Sequence, residues 1–258
     1  MSICIPVYNT CSSDLLDDLK VQLNHLNEVT EVIVGDDCSS NKITNTKEKC
    51  KTHHFKFFEN SRNTGSIATR LKLAKESKYD WILFLDADMR LSENDFVQKY
   101  LEAIPKKTNH LIFGGYSYNT EKTNNLRLHY GKAREEVDAY IRQKQPYRYV
   151  FSGNFLVHKD VFMKIAQKIP KGYGMDLYFG GLLRKENAYI EHIDNTTRHH
   201  GLETNQIFVK KIMQASINLR KVFEESDVNF GHVKLVYTYL FLKKCHTAFF
   251  AYILLELI

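Results

Sequence analysis

Residues 81–92, WILFLDADMRLS, decide the fold. The apolar run Ile82-Leu83-Phe84-Leu85 suits a strand buried on both faces, as in a parallel sheet. Burial should stop at Asp86 and Asp88. Side chains two apart on an extended chain point the same way, so both carboxylates can face one cation at the sheet's carboxyl edge. That edge is where open α/β sheets bind ligands. Two hard oxygen donors with no cysteine beside them suit Mg²⁺ or Mn²⁺, with phosphate oxygens completing the shell. The plainer reading is a strand that ends in a solvated acidic turn.

Working outward, 258 residues are enough for one large α/β domain, alone or with a small appendage. An apolar fraction of 43% and a charged fraction of 26% are those of an ordinary globular protein. The net charge of +6 is modest and spread along the chain, which favours anionic substrates or an anionic membrane surface. No nucleic-acid-binding motif accompanies it, so no nucleic-acid partner is expected. Cys4, Cys11, Cys38, Cys50 and Cys245 show no paired spacing and read as reduced thiols, as expected of a cytoplasmic protein. The strand-like SICIPVY directly after Met1 leads to the expectation that no targeting segment precedes the fold.

The first 115 or so residues alternate short apolar runs with helical patterns, the sign of βαβ units. Strands are expected at Ser2–Val7, Glu31–Gly35, Phe55–Phe58, Trp81–Leu85 and Leu111–Gly115. Leu15, Leu16, Leu19, Leu23 and Leu26 mark one helical face, with Ser12, Ser13 and Asp14 available as caps. Ile67, Ala68, Leu71 and Ala74 mark another, and a further helix is expected from about Glu93 to Ala103. Three strand ends then carry polar clusters: Tyr8-Asn9, Asp36-Asp37 and Asp86-Asp88. Residues 116–149 read as a polar loop and an exposed helix. Beyond them come strands at Phe151–Val157 and Tyr189–Ile193, and helices at Lys159–Lys168, Asp176–Lys185, Asn205–Glu225 and Val233–Leu257.

SICIPVYN, EVIVGDDCSS and NTGSIATRLKLAKESKYDWILFLDADM resemble, in this order, the hallmarks of family 2 glycosyltransferases of the GT-A fold. SGNFLVHKDVF and GYGMDLYFGGLLRK resemble the acceptor half of those enzymes, and HIDNTTRHHGLETN the ending of a bacterial subgroup. The resemblance implies a Rossmann-like, mostly parallel sheet flanked by helices. It divides the chain into a nucleotide-sugar-binding half (1–115), an acceptor-binding and catalytic half (116–204) and a helical extension (205–258). The implied reaction is inverting transfer of a sugar, UDP-linked by expectation, to an acceptor hydroxyl, as in bacterial polysaccharide or glycolipid synthesis.

The resemblance also implies roles. Pro6, Tyr8 and Asn9 match the donor-binding turn, and Asp37 the carboxylate that accepts from the base, with Asp36 supporting the loop. Arg70 matches an arginine near base or phosphates, where a guanidinium can bind phosphate bidentately. Asp86-Ala87-Asp88 matches D-x-D: Asp88 on Mn²⁺ or Mg²⁺, Asp86 on ribose or donor sugar. His199 aligns with a histidine that reaches the same metal, and the adjacent His200 is the alternative. Asp176 matches the catalytic base, held ionised by a helix N-terminus. Two positions depart from the pattern. Cys38 stands where glycine is common, and Met175 where glutamate is usual, which leaves the acceptor open.

Residues 234–258 are apolar but interrupted by Lys243-Lys244 and His246. The uninterrupted run Thr247–Leu255 is shorter than the ~20 residues a bilayer requires. An amphipathic helix on a membrane that carries a saccharide or lipid-linked acceptor is one reading, and packing against the domain is the other. A nucleotidyltransferase would need a Gly-rich phosphate loop that PVYNTCSS lacks. A catalytically inactive, GT-A-like nucleotide-sugar-binding protein is the remaining rival.

Overall fold

In the computed structural model, Trp81–Leu85 is a central strand whose last four residues are fully buried. The structure describes residues 1–26, 30–40, 43–119 and 124–228, with 238, 241–245 and 247 beyond them. Most of the expected helix at Val233–Leu257, and with it the membrane-contact reading, lies outside the described residues; of those described, 238 and 241–244 are helical.

The chain opens with β1 (Ser2–Val7), α1 (Ser13–Leu23), β2 (Glu31–Asp36), α2 (Thr44–His53), β3 (Lys56–Glu59), α3 (Ser66–Glu76) and β4 (Trp81–Leu85). It continues with β5 (Met89–Leu91), α4 (Phe96–Glu102), β6 (His110–Phe113), β7 (Tyr116–Tyr118), α5 (Leu126–Arg134), α6 (Ala139–Gln143) and a 3₁₀ turn at Pro146–Arg148. Then follow β8 (Asn154–His158), α7 (Lys159–Ala166), α8 (Asp176–Lys185), β9 (Tyr189–His192), β10 (Thr197–His199) and α9 (Asn205–Glu225).

Seven strands form one sheet in the order β3-β2-β1-β4-β8-β6-β9. Pairing is parallel except around β8, which runs antiparallel to both β4 and β6. One hydrophobic cluster, containing Phe84, Phe155, Phe162 and Leu183, covers one side, and Ile3, Leu16, Leu83 and Leu156 belong to a second. Neighbouring residues of β4 alternate between the two, as strand geometry requires.

The reversal of β8 positions the site. Leu85 pairs with Asn154, so the residues that enter β8, Ser152 and Gly153, lie beside the residues that leave β4. Asp86 N–H donates to the Gly153 carbonyl at 3.1 Å, which extends the ladder one step. A small second sheet, β5-β10-β7, sets His199 opposite Met89 and Tyr118.

Several elements lay outside the sequence reading. In α2 only Thr46 and Cys50 are buried, too little for a periodic signal. β5 and β10 have three residues each. The segment expected as an exposed polar loop and helix contains β7, α5 and α6, and buries Arg127 and Arg142. Arg142 is 1% exposed because its guanidinium bonds to the carbonyls of Gly114, Val137 and Ile193.

Candidate active site

The polar ends of β1, β2 and β4 lie along one sheet edge. The loop after β1 is tied to the loop after β2: Asn9 N–H donates to Ser39 Oγ (2.7 Å) and Ser40 N–H to Asn9 Oδ1 (2.9 Å). Asp36, 1% exposed, accepts from the Ser39 backbone and hydroxyl, the loop-supporting role expected of it. Tyr8 is exposed, and Pro6 lies within β1 opposite Gly35.

Asp37 is buried and closes a different loop. Its Oδ1 accepts from Thr64 N–H, Thr64 Oγ1 and Asn60 Nδ2 at 2.8–3.0 Å, and its Oδ2 accepts from Gly65 N–H at 2.7 Å. These bonds outweigh burial and hold the carboxyl below its usual range. Oδ2, with a single donor, retains acceptor capacity.

Cys38 keeps the left-handed backbone that glycine would favour, with φ of +65°. A side chain in that region is strained. Cys38→Gly should therefore raise stability by about 0.5–1 kcal/mol, after the larger chain entropy of glycine is subtracted. Urea unfolding midpoints measure this directly.

Arg70 points inward from α3 and is 4% exposed. One terminal nitrogen donates to Asp86 Oδ1 and, at 3.1 Å, to the Ser152 carbonyl; the other donates to Ser66 Oγ. Its Nε is buried without a partner. On the other side of the same residue, the Ser152 N–H donates to Asp176 Oδ1 at 3.1 Å. The backbone of a single residue thus links the arginine that holds Asp86 to the carboxylate that opens α8. Gly153 lets this happen, since a Cβ there would lie 2.6 Å from both Asp86 Oδ2 and Tyr116 Oη.

Asp176 is half-buried, and its carboxyl is pushed up to about 6 by burial first and then by the charge of Asp86. The helix N-terminus expected to keep it ionised is thus overmatched. Asp86 is also raised, by burial before the neighbouring Asp88, while Arg70 opposes the shift. Arg70, Asp86, Ser152 and Asp176 line one cleft of about 260 Å³.

Asp88 sits outside that lining, on the side of Asp86 facing the small sheet. Its Oδ2 lies 3.5 Å from His199 Nε2, and its carbonyl accepts from His200 N–H at 3.0 Å. The pair of histidines therefore divides: the His199 ring meets the carboxylate, and His200 contributes backbone. The His199 ring stacks on Tyr118 with centroids 5.7 Å apart, and Nδ1 has no partner. Gly201 permits the close approach, because a Cβ would meet Asp88 Oδ2 at 2.6 Å. Among the described residues no three metal-ligating side chains converge. Asp88 and His199 supply one hard oxygen and one imidazole nitrogen, a partial donor set that fits Mn²⁺ or Mg²⁺ once phosphate oxygens complete it.

Ser152, Gly153 and Tyr118 escaped the sequence reading. Ser152 acts through its backbone, and the only signal for the turn was SGN at the start of a strand. Ala87 is buried between the two aspartates.

Residues 2–166 match the model of the family described as glycosyl transferase family 2. The chain belongs to that family. An uncharacterized glycosyltransferase of Rickettsia bellii (strain RML369-C) is 29% identical over 196 residues, 75% of this chain. This family 2 chain spans 24% of that relative's length. Among solved structures, the mannosyltransferase PcManGT of Pyrobaculum calidifontis, in complex with GDP-Man and Mn²⁺, superposes with a TM-score of 0.67 at 12% identity, covering 96% of this chain and 71% of that one. Glucosyl-3-phosphoglycerate synthase of Mycobacterium tuberculosis, in complex with Mn²⁺, UDP and glucosyl-3-phosphoglycerate, gives 0.57 at 15% identity, covering 84% and 77%. S. aureus TarS 1-349 with UDP-GlcNAc gives 0.55 at 17% identity, covering 90% and 68%. The architecture is therefore that of a GT-A glycosyltransferase, a mixed α/β domain with a large, mostly parallel sheet.

Proposed function

We propose that this family 2 glycosyltransferase moves a sugar, with inversion, from a nucleoside-diphosphate donor to an acceptor hydroxyl. The observation that carries the reading is the backbone of Ser152, bonded to Arg70 through its carbonyl and to Asp176 through its N–H. It sets Asp176 and the Arg70-held Asp86 on one cleft, with His199 facing Asp88 alongside. Residues 1–115 form the donor half in this reading, with Pro6, Tyr8, Asn9 and Asp37 as the nucleotide cradle. Residues 116–204 form the acceptor and catalytic half, and 205–258 a helical extension.

Asp176 acts as general base. It takes the acceptor hydroxyl proton while that oxygen attacks the anomeric carbon from the side opposite the diphosphate. The bond from that carbon to the diphosphate oxygen breaks, and the nucleoside diphosphate leaves. Asp88 and His199 would hold Mn²⁺ or Mg²⁺, which when bound neutralises charge on the departing diphosphate. Asp86, fixed by Arg70, is placed for the donor's ribose or sugar hydroxyls. UDP is the expected nucleotide, and the expected setting is bacterial polysaccharide or glycolipid synthesis at the cytoplasmic membrane face. Among the described residues no helix is long and apolar enough to cross a membrane.

Retained Asp86, Asp88, Asp176 and His199 favour turnover over a binding module that has lost it. Incubation with UDP-, GDP- and dTDP-sugars should release nucleoside diphosphate only with Mn²⁺ or Mg²⁺, since water replaces the acceptor. No release from any donor with either metal would leave the binding module as the better account.

A further inference from the structure

Beyond the polar rim of Arg70, Asp86, Ser152 and Asp176, the wall of the cleft turns apolar. Phe155, Phe162, Ile169, Met175 and Phe179 line it, each 8% exposed or less. The three phenylalanine rings interlock, with centroids 5.6–6.4 Å apart, so the wall is rigid. Met175 immediately precedes Asp176 at the N-terminus of α8, which fixes the apolar wall relative to the carboxylate. The catalytic steps above make no use of this surface.

These five side chains offer no strong donor or acceptor, so a hydroxyl buried against them is penalised and a methylene rewarded, the Tyr173 phenol of the same cleft being 44% exposed. The volume of about 260 Å³ is shared with the polar rim and equals on the order of eight water-sized groups. A long chain does not fit, whereas a few carbons do. We propose that this cavity is a subsite for a short apolar substituent, of about two to four carbons by that volume, on the acceptor beside the hydroxyl that Asp176 deprotonates. The assignment rests on Asp176 being the base. It makes the acceptor a modified sugar or short aglycone rather than a bare polyol.

Methyl, ethyl, butyl and hexyl β-glucosides, titrated calorimetrically against the full chain without donor, test the cavity. Affinity should rise about fourfold per methylene from methyl to butyl and change little from butyl to hexyl. Met175→Gln, which keeps the length but adds an amide, and Ile169→Phe, which fills the space, should each flatten the series. Thermal melts establish that both variants are folded, and either alone suffices. The proposal is overturned if wild-type affinity does not rise from methyl to butyl. It is equally overturned if the rise survives a folded variant, or continues undiminished to hexyl. The last result would point to the open groove between α5 and α9, lined by Leu126, Tyr130 and Met213. Donor hydrolysis needs no acceptor, so the transferase reading stands or falls separately.

Discussion

Asp176→Asn is expected to lose transfer by at least ~10²–10⁴-fold, the range of a positioned general base, while the protein becomes more stable. Asparagine keeps the size of aspartate and an Oδ1 to accept from the Ser152 N–H, so donor binding and the fold should survive. The stability gain follows from the raised carboxyl. Folding shifts it from 3.8 to about 6, so the native state holds this proton more tightly than the unfolded chain does. Below pH 3.8 both states are protonated and no penalty exists. Between pH 3.8 and 6 stability falls, and above 6 the full cost of the charge is present. Two pKa units correspond to about 3 kcal/mol. Partial exposure of the side chain reduces this to about 1–2 kcal/mol. The neutral variant should gain that much at pH 7.5 and nothing at pH 3.5, measured by urea unfolding. The wild-type kcat/KM should rise with pH through a limb near 6, which the variant lacks. Unchanged turnover in Asp176→Asn would remove its assignment as base.

Arg70→Met should cost about 2–4 kcal/mol and lower activity with it. Removing one partner of a fully buried ion pair costs about 3–5 kcal/mol, because the survivor is left charged and desolvated. The Asp86 side chain is 32% exposed, so solvent recovers part of that. The double variant Arg70→Met/Asp86→Asn should recover much of the loss, because no charge remains stranded. Arg70 also accounts for the geometry of Ser152, whose carbonyl it holds. Without the guanidinium's charge and this anchor, the Asp176 limb should move to higher pH. A single variant as stable as wild type would show that the pair does not organise the cleft.

The parts of the fold legible in the sequence were those that bury runs. Ile82–Leu85 suited an interior strand and forms one, and Asp176–Lys185 and Asn205–Glu225 were bounded correctly. The face of α3 was read in part: Ala74 is buried and Ile67 and Leu71 pack against the core, but the burial of Thr69, Arg70 and Leu73 was not foreseen. Of the residues read, Ile67, Ala68 and Leu71 are partly exposed and Ala74 is buried; Thr69, Arg70 and Leu73 are buried beside it. A buried arginine is illegible because its compensation is tertiary: Asp86 from another strand and a carbonyl 82 positions away. The choice between His199 and His200 needed the register of β10 against β5, which a three-residue strand does not advertise. The link from Asp86 to Asp176 runs through Arg70 and the backbone of Ser152, and the identity of the Ser152 side chain carries no trace of it.

The central claim is that Asp88 and His199 hold a divalent ion on which the donor's diphosphate lands. Calorimetric titration of UDP with and without Mn²⁺ tests it on wild type, Asp88→Ala and His199→Ala. Metal should tighten wild-type binding, and that increment should vanish in Asp88→Ala and shrink at least tenfold in His199→Ala, a tenfold change being 1.4 kcal/mol. Equal UDP affinity with and without metal, or an increment untouched by both substitutions, would contradict the account.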